Sequence, residues 1–250
     1  MARYDFRSPR LHVAARLATG AAIALDAAQT HYLVDVLRLE AGDPMLIFNG
    51  TDGEWKARLA RGAKRHAALV AEALTRPQTA PGNLHYLFSP LKRARLDYVV
   101  QKAVEMGVSR LQPVMMRHTS AERVNLDRMA ANAIEAAEQC GILAIPEIEP
   151  PQDFAAAIAG LAPSRHLVFC DEEASTADPV AALRVAADGA DDGGLAVLIG
   201  PEGGFGDDER AMLLRRPRVS RIALGPRILR ADTAAVAALA IVQTAVGDWR

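Results

Sequence analysis

Gly200-Pro-Glu-Gly-Gly-Phe-Gly206 stands directly behind the apolar run Leu195–Ile199 and ahead of a helix carrying Asp207, Asp208 and Glu209. Five apolar residues without polar alternation suit a strand buried on both faces, as in a parallel sheet. Ligands of open parallel sheets bind in the loops that leave the strand ends. Gly203 and Gly204 let the backbone approach a ligand and adopt positive φ. A second loop of this kind, Leu224-Gly-Pro-Arg-Ile-Leu-Arg230, separates the strand Val219–Leu224 from a final helix, Ala231–Val246. Neither loop is a phosphate cradle, because the Lys-Ser/Thr ending of the Walker A pattern and an early GxGxxG are both absent. Glu202 and the acidic helix start repel a pyrophosphate but tolerate a cation, such as the sulfonium and amino group of S-adenosylmethionine. By spacing alone both loops read more readily as ordinary strand-to-helix turns.

Towards the N-terminus the same strand-helix alternation continues. Leu84–Phe88, Leu111–Met115 and His166–Cys170 read as strands. Arg93–Met106 reads as a helix with Leu96, Val99, Val100 and Ala103 on one stripe and Gly107 as its stop. Asn125–Gln139 is a helix with Asn125 as N-cap. This alternation predicts an α/β domain over residues 82–250. Arg76–Gly82, with two prolines and a glycine, reads as a linker. Ahead of it the period changes to short strands: Leu11-His-Val, Met45–Phe48, Trp55–Leu59 and His66–Ala73, with a tight turn at Asn49-Gly50 and Asp52-Gly53. One short helix, Ala27–Leu37, places Leu33, Val36 and Leu37 on one face. Residues 1–75 thus predict a small β-barrel.

Half of the 250 residues are hydrophobic, enough for a sizeable core, and 5% are aromatic, too few for wide base-stacking platforms. The net charge of −1 hides a segregation: residues 1–134 hold 19 Lys+Arg against 12 Asp+Glu, and residues 135–200 hold 2 against 12. A basic front suits phosphate tracking, and an acidic back suits solubility; a solvated face and a general arginine bias explain the same counts. Cys140 and Cys170 have neither disulfide-framework nor zinc spacing, and no metal is expected. The charged opening Met1–Arg7 and the interrupted apolar stretch Ala234–Val246 predict a cytoplasmic protein with no membrane span.

The two glycine loops at this separation, Gly200-Pro-Glu-Gly-Gly-Phe with Glu209 and Leu224–Ala234, resemble the signature of the RsmE family, 16S ribosomal RNA uridine N3-methyltransferases of the SPOUT superfamily. The likeness covers nearly the whole chain: Arg10-Leu-His-Val, His31–Arg38, Leu91-Lys92, Gln101-Lys102, Glu105-Met-Gly107, Pro113 and Glu138-Gln139 match further family segments. The resemblance implies a PUA-like β-barrel over 1–75 that binds RNA. It also implies a SPOUT-type parallel sheet over 82–250 with a C-terminal trefoil knot, a rare exception to unknotted topology, and a homodimer with the knots at its interface. S-adenosylmethionine would bind at Leu198, Ile199, Gly200, Glu202, Gly203 and Gly204 on one side, and at Leu224, Gly225, Ile228, Leu229, Arg230, Thr233 and Ala234 on the other. The almost uniformly apolar last helix, with Val236, Leu239, Ile241 and Val242 spread around it, fits burial on several sides or a plain core helix. Three departures stand out: Gly206 replaces the family's Ser, Asp232 replaces its Glu, and Cys140-Gly-Ile142 replaces a segment with Ser and Arg.

Uridine N3 is protonated at neutral pH and must lose its proton to attack. Arg230 is expected to stabilise the developing uracil anion, with Glu202, Asp232 or water as proton acceptor; a phosphate or loop-bracing contact is the other reading of Arg230. The expected RNA contacts are Arg10, Arg38, Lys92 and Lys102, with Lys56, Arg58 and Arg61 as further candidates. His31 fits an RNA-side position or the core. Three rivals remain open on the sequence: a related enzyme acting on transfer RNA, a non-catalytic RNA-binding or ribosome-assembly protein, and a nucleotide-dependent enzyme.

Overall fold

The computed structural model describes residues 5, 7–61, 67–121, 123–175, 178–187 and 193–249. It divides into two compact units, residues 1–80 with 134–145 and residues 81–133 with 146–250.

In the first unit the described strands are β1 (Arg10–His12), β2 (Ala22–Ala24), β3 (Pro44–Phe48), β4 (Glu54–Arg61) and β5 (Ala67–Arg76). They form one sheet in the order β1-β3-β4-β5-β2, in which β1 runs parallel to β3 and the other pairs are antiparallel. Leu11, Ile23, Met45, Ile47 and Leu69 fill its core. Strand β2 has no periodic signal because only its middle residue, Ile23, is buried. His66, expected to open β5, lies outside the described residues, as does the side chain of Arg61. The predicted helix is α1 (Ala27–His31) continued by a π-helical turn, Tyr32–Val36, closed by the Leu37 amide donating to the Tyr32 carbonyl at 2.9 Å. The wider turn breaks the 3.6-residue period. Leu33 is therefore buried while Val36, expected on the same face, is 57% exposed.

The second unit runs β6 (Leu84–Phe88), α2 (Ala94–Glu105), β7 (Arg110–Met115), α3 (Leu126–Cys140), β8 (Glu147–Ile148), β9 (Gln152–Asp153), α4 (Phe154–Gly160), β10 (His166–Cys170), α5 (Pro179–Ala187), β11 (Leu195–Ile199), α6 (Asp207–Leu214), β12 (Val219–Ile222) and α7 (Ala231–Val246). From Ile134 onward α3 belongs to the first unit. The sheet is parallel throughout the described pairs, in the order β12-β10-β11-β6-β7-β8 with β9 also on β7. Leu87, Val114, Leu167, Phe169, Ala196 and Leu198 form its interior with Phe154 and Phe205. Leu96, Val99, Val100 and Ala103 of α2 are buried as their stripe requires, and the Asn125 side chain accepts from the Arg128 amide at 3.0 Å, capping α3. Helix α7 packs against α2 and α5 and reaches β11, with Ala238, Leu239 and Val242 buried. Helices α4 and α5 and strands β8 and β9 carry too few periodic positions to stand out in the sequence.

Of the expected RNA contacts, Arg10 is buried in an ion-pair group and Lys102 is paired within its own helix. Arg10 is only 7% exposed; its Nε donates to Glu54 Oε2 at 2.9 Å, and its guanidinium also reaches the Asp5 carbonyl. Arg76 completes the group, donating to Glu54 and to the Gly141 carbonyl. A guanidinium held this way faces a carboxylate inside the first unit, not a phosphate outside it. Lys102 is held by Glu105 at 2.6 Å, with its ammonium 5.7 Å from the Tyr98 ring centroid. Arg58 is likewise tied to Glu72 and to the Gly42 carbonyl, and Lys56 lies 4.0 Å from Glu72. His31 is exposed and bonded to Asp35, which removes the core reading. Arg38 takes a left-handed backbone, φ 57°, where the π-helical turn ends. Glu138, one of the family-matching positions, accepts from the His12 amide at 2.7 Å and so braces β1; its burial raises its pKa.

Candidate functional site

The C-terminal ends of three neighbouring strands, β10, β11 and β12, release the loops 170–174, 199–205 and 223–229. These loops meet around one cavity of about 550 Å³, closed at one side by Ala231 and Ala234 of α7. Parallel pairing brings them together, since every strand delivers its outgoing loop to the same edge. The two glycine loops singled out in the sequence therefore share one wall-to-wall space.

Of the expected cofactor residues, Ile199, Gly200, Glu202, Gly203, Gly204, Leu224, Gly225, Ile228, Leu229 and Ala234 line the cavity. Leu198 does not: it is fully buried in the sheet interior beneath the loop. Thr233 is exposed on the first turn of α7 and Arg230 is the exposed N-cap of that helix, so neither belongs to the wall. Sequence reading missed the loop after β10, which contributes Cys170, Asp171, Glu172 and Ala174. Its signal is the acidic run Asp171-Glu-Glu173 directly behind an apolar strand. Phe205 and Arg227 were overlooked within the two loops already chosen.

Asp171 holds the β10 loop in place. Its carboxylate is 2% exposed and accepts from Arg210 Nε at 2.8 Å and Arg221 Nε at 2.9 Å. Burial opposes its ionisation, but hydrogen bonds from Arg210 and the Glu173 amide, with the charges of both arginines, outweigh that and lower its pKa. The β11 loop is fixed by Glu209, which accepts from the Gly206 amide and the Arg117 amide, both at 2.8 Å. Gly206 itself has no side chain to complete the reciprocal cap, so only half of a capping box is present. His118 bonds the Gly204 carbonyl at 3.1 Å. Gly204 has φ +74°, a left-handed backbone that strains any residue with a side chain, and it sits beside the Glu172 carboxylate of the β10 loop.

Glu202, expected as a proton acceptor, is paired with Arg95 on the first turn of α2, and the pairing raises the Arg95 pKa. The Glu202–Arg95 pair instead ties the β11 loop to α2. Arg95 was not singled out in the sequence.

The site has an apolar floor from Ile199, Leu224, Leu229 and Phe205, with Glu172 and Glu202 along its wall. An apolar floor suits an aromatic base, and carboxylates suit a sulfonium or an ammonium group. The volume falls within the ~300–1,000 Å³ of small-molecule sites. Among the described residues no cluster of three or more His, Cys, Asp or Glu side chains offers a metal site.

Comparison with known proteins matches two segments of the chain. Residues 78–243 match the model of an RNA methyltransferase domain, and residues 25–72 match that of an RNA methyltransferase PUA domain. The chain is 30% identical over 239 residues, 94% of both sequences, to ribosomal RNA small subunit methyltransferase E of Rickettsia conorii. Among solved structures it is similar to ribosomal RNA small subunit methyltransferase E from Neisseria gonorrhoeae bound to S-adenosyl methionine, with TM-score 0.79, 25% identity and coverage of 98% and 100% of the two chains. A Legionella pneumophila protein solved with bound SAM aligns with TM-score 0.82 at 26% identity, covering 96% of this chain and 98% of that one.

Proposed function

Because the chain belongs to the RNA methyltransferases, within the ribosomal RNA small subunit methyltransferase E family, we propose that it methylates N3 of a uridine in 16S ribosomal RNA. S-adenosylmethionine is the methyl donor. The observation that carries this reading is the convergence of loops 199–205 and 223–229 on one cavity whose floor and carboxylates complement an adenosyl sulfonium.

When bound, the donor supplies an already activated methyl group. The work left to the chain is alignment, exclusion of water and management of one proton. The loops after β10, β11 and β12 would hold the donor, with Glu172 available to its positive charge. Arg230 stands between Leu229 and Ala231, both cavity residues, and from there stabilises the negative charge that develops on the uracil oxygens. The N3 proton passes to water or to Asp232, since Glu202 is engaged by Arg95. Arg38 and Lys92 take RNA phosphates.

The segment from β12 through α7 is assigned a trefoil knot, supported by the strand order β12-β10-β11 and by the loops converging at the start of α7. The residues before about 75 are assigned the PUA-like barrel and those after 82 the SPOUT domain. A homodimer covers Ile228, an apolar cavity residue left 93% exposed in the single chain. A cytoplasmic location follows from the ribosomal substrate; no described helix is long and apolar enough to cross a membrane.

Incubation with labelled S-adenosylmethionine and small ribosomal subunits from a strain lacking the modification tests the reading. Label mapped to N3 of one 16S uridine is expected; label on transfer RNA alone, or none, rejects it. Gly225→Val tests the donor cavity. Gly225 has φ +99°, a conformation that a β-branched residue does not adopt without strain. At a cost of about 1–3 kcal/mol, donor binding by calorimetry should weaken by roughly 10- to 100-fold while the chain still melts cooperatively. Unchanged affinity would place the donor elsewhere.

A further inference from the structure

Beside the donor cavity lies a second one, about 470 Å³, lined by Lys92, Arg93, Arg123 and Arg128 against the single carboxylate Asp97. We propose that this basic cavity grips the RNA backbone phosphate next to the target uridine. The proposal rests on the RNA-methylating reading above and adds to it a location for the Lys92 contact and three further residues, Arg93, Arg123 and Arg128.

Topology places the cavity. Its walls come from the loop between β6 and α2 and the loop between β7 and α3. Strand β6 pairs with β11, so the loop after β6 leaves the same sheet edge as the donor loop, and the Ser89 amide donates to the Ile199 carbonyl at 3.1 Å. Arg95, on the first turn of α2, pairs with Glu202 in the donor cavity while Leu91, Lys92, Arg93, Leu96 and Asp97 around it line the basic one. One helix start therefore borders both spaces.

The charges make the cavity a receptor for an anion. Asp97 is already satisfied: it accepts from Arg128 Nε at 2.8 Å, from Arg128 Nη2 at 2.5 Å and from Asn132 at 2.9 Å. The Arg128 hydrogen bonds outweigh burial and lower the Asp97 pKa. Lys92, Arg93 and Arg123 have no acidic partner among the described residues. Three such cations around one hollow repel one another unless an anion joins them. Arg93 also takes φ 39° and ψ −112°, a backbone strained for a residue with a side chain, and such strain collects at binding sites. The floor, Leu96 and Met129, gives the anion no competing acceptor.

The chemistry of the reaction asks for such a grip. An enzyme that modifies a base must draw it out of its stack into the site, and the flanking phosphate then fixes the backbone. Arginine and lysine in a concave wall hold phosphate oxygens by charge-assisted hydrogen bonds. An acidic protein segment would meet the same charges, but the adjoining donor cavity favours the nucleotide whose base is methylated.

The test compares the full-length wild type with Lys92→Glu/Arg123→Glu and with a control of equal charge change, Arg184→Glu/Arg215→Glu, at an exposed position of α5 and at the exposed residue that closes α6. Binding of a 16S fragment is followed by anisotropy across a salt series, alongside methyl-transfer kinetics and donor calorimetry. The cavity variant should bind the fragment about tenfold more weakly, with a salt slope lower by roughly 0.7–0.9 for the one lost phosphate contact. KM for RNA should rise in step, with kcat and donor affinity within about twofold, and Arg123→Lys should stay close to wild type. Equal weakening by the control variant, or an unchanged slope in the cavity variant, overturns the proposal. Binding is read separately from turnover, so a wild type that bound RNA through this cavity but transferred no methyl would count against the methylating reading and not against the cavity.

Discussion

Arg230→Ala should lower kcat for ribosomal RNA methylation by about 100- to 1,000-fold, the loss seen when one donor to a developing oxyanion is removed. Donor binding and thermal stability should stay near wild type, because the Arg230 side chain neither lines the cavity nor caps the helix it precedes. The expected effect therefore lies in kcat, not in KM for the donor, which separates charge stabilisation from simple binding. A loop-bracing role would instead lower the melting temperature, and a phosphate contact would raise KM for RNA at constant kcat. Turnover close to wild type, in a variant that folds, rejects the assigned role.

The second large effect concerns stability. Glu54 sits between Arg10 and Arg76 with a side chain only 3% exposed. Glu54→Ala leaves two guanidinium groups without their shared carboxylate, and breaking a buried pair from one side costs about 3–5 kcal/mol. Urea unfolding of the first unit should report that loss. Burial opposes ionisation of Glu54, but hydrogen bonds from Arg76 and Arg10 outweigh it, so its folded pKa lies below the ordinary 4.5. A lowered carboxylate pKa contributes stability that is complete above the unfolded value and disappears as pH falls through the folded one. The gap between wild type and Glu54→Gln should therefore be wide at pH 7 and shrink steadily below about pH 4.5. A constant gap down to pH 2.5 would show that Glu54 is not the linked group.

The parallel sheet was legible because β6, β10 and β11 are short apolar runs buried on both faces, and α2 because one apolar stripe repeats over three turns. Strand β2 was not, since a three-residue strand with one buried position leaves no period to read. The π-helical turn after α1 was equally hidden: it changes which residues share a face without changing the residues. At the site, Gly204 and Gly225 announced themselves by type, whereas the β10 loop carries ordinary acidic residues whose role depends on Arg210 and Arg221 arriving from α6 and β12. Arg10 shows the opposite failure. An arginine in a basic stretch reads as a phosphate contact, and only the fold reveals a buried glutamate 44 residues away in sequence.

Crystals grown with S-adenosylmethionine, read together with calorimetry, address the donor cavity without any RNA. One molecule per chain should appear between residues 199–205 and 223–229, its sulfonium near Glu172 and its base over Leu224 and Leu229. Density at another place, or no heat of binding at saturating donor, would contradict the cavity as the seat of methyl transfer.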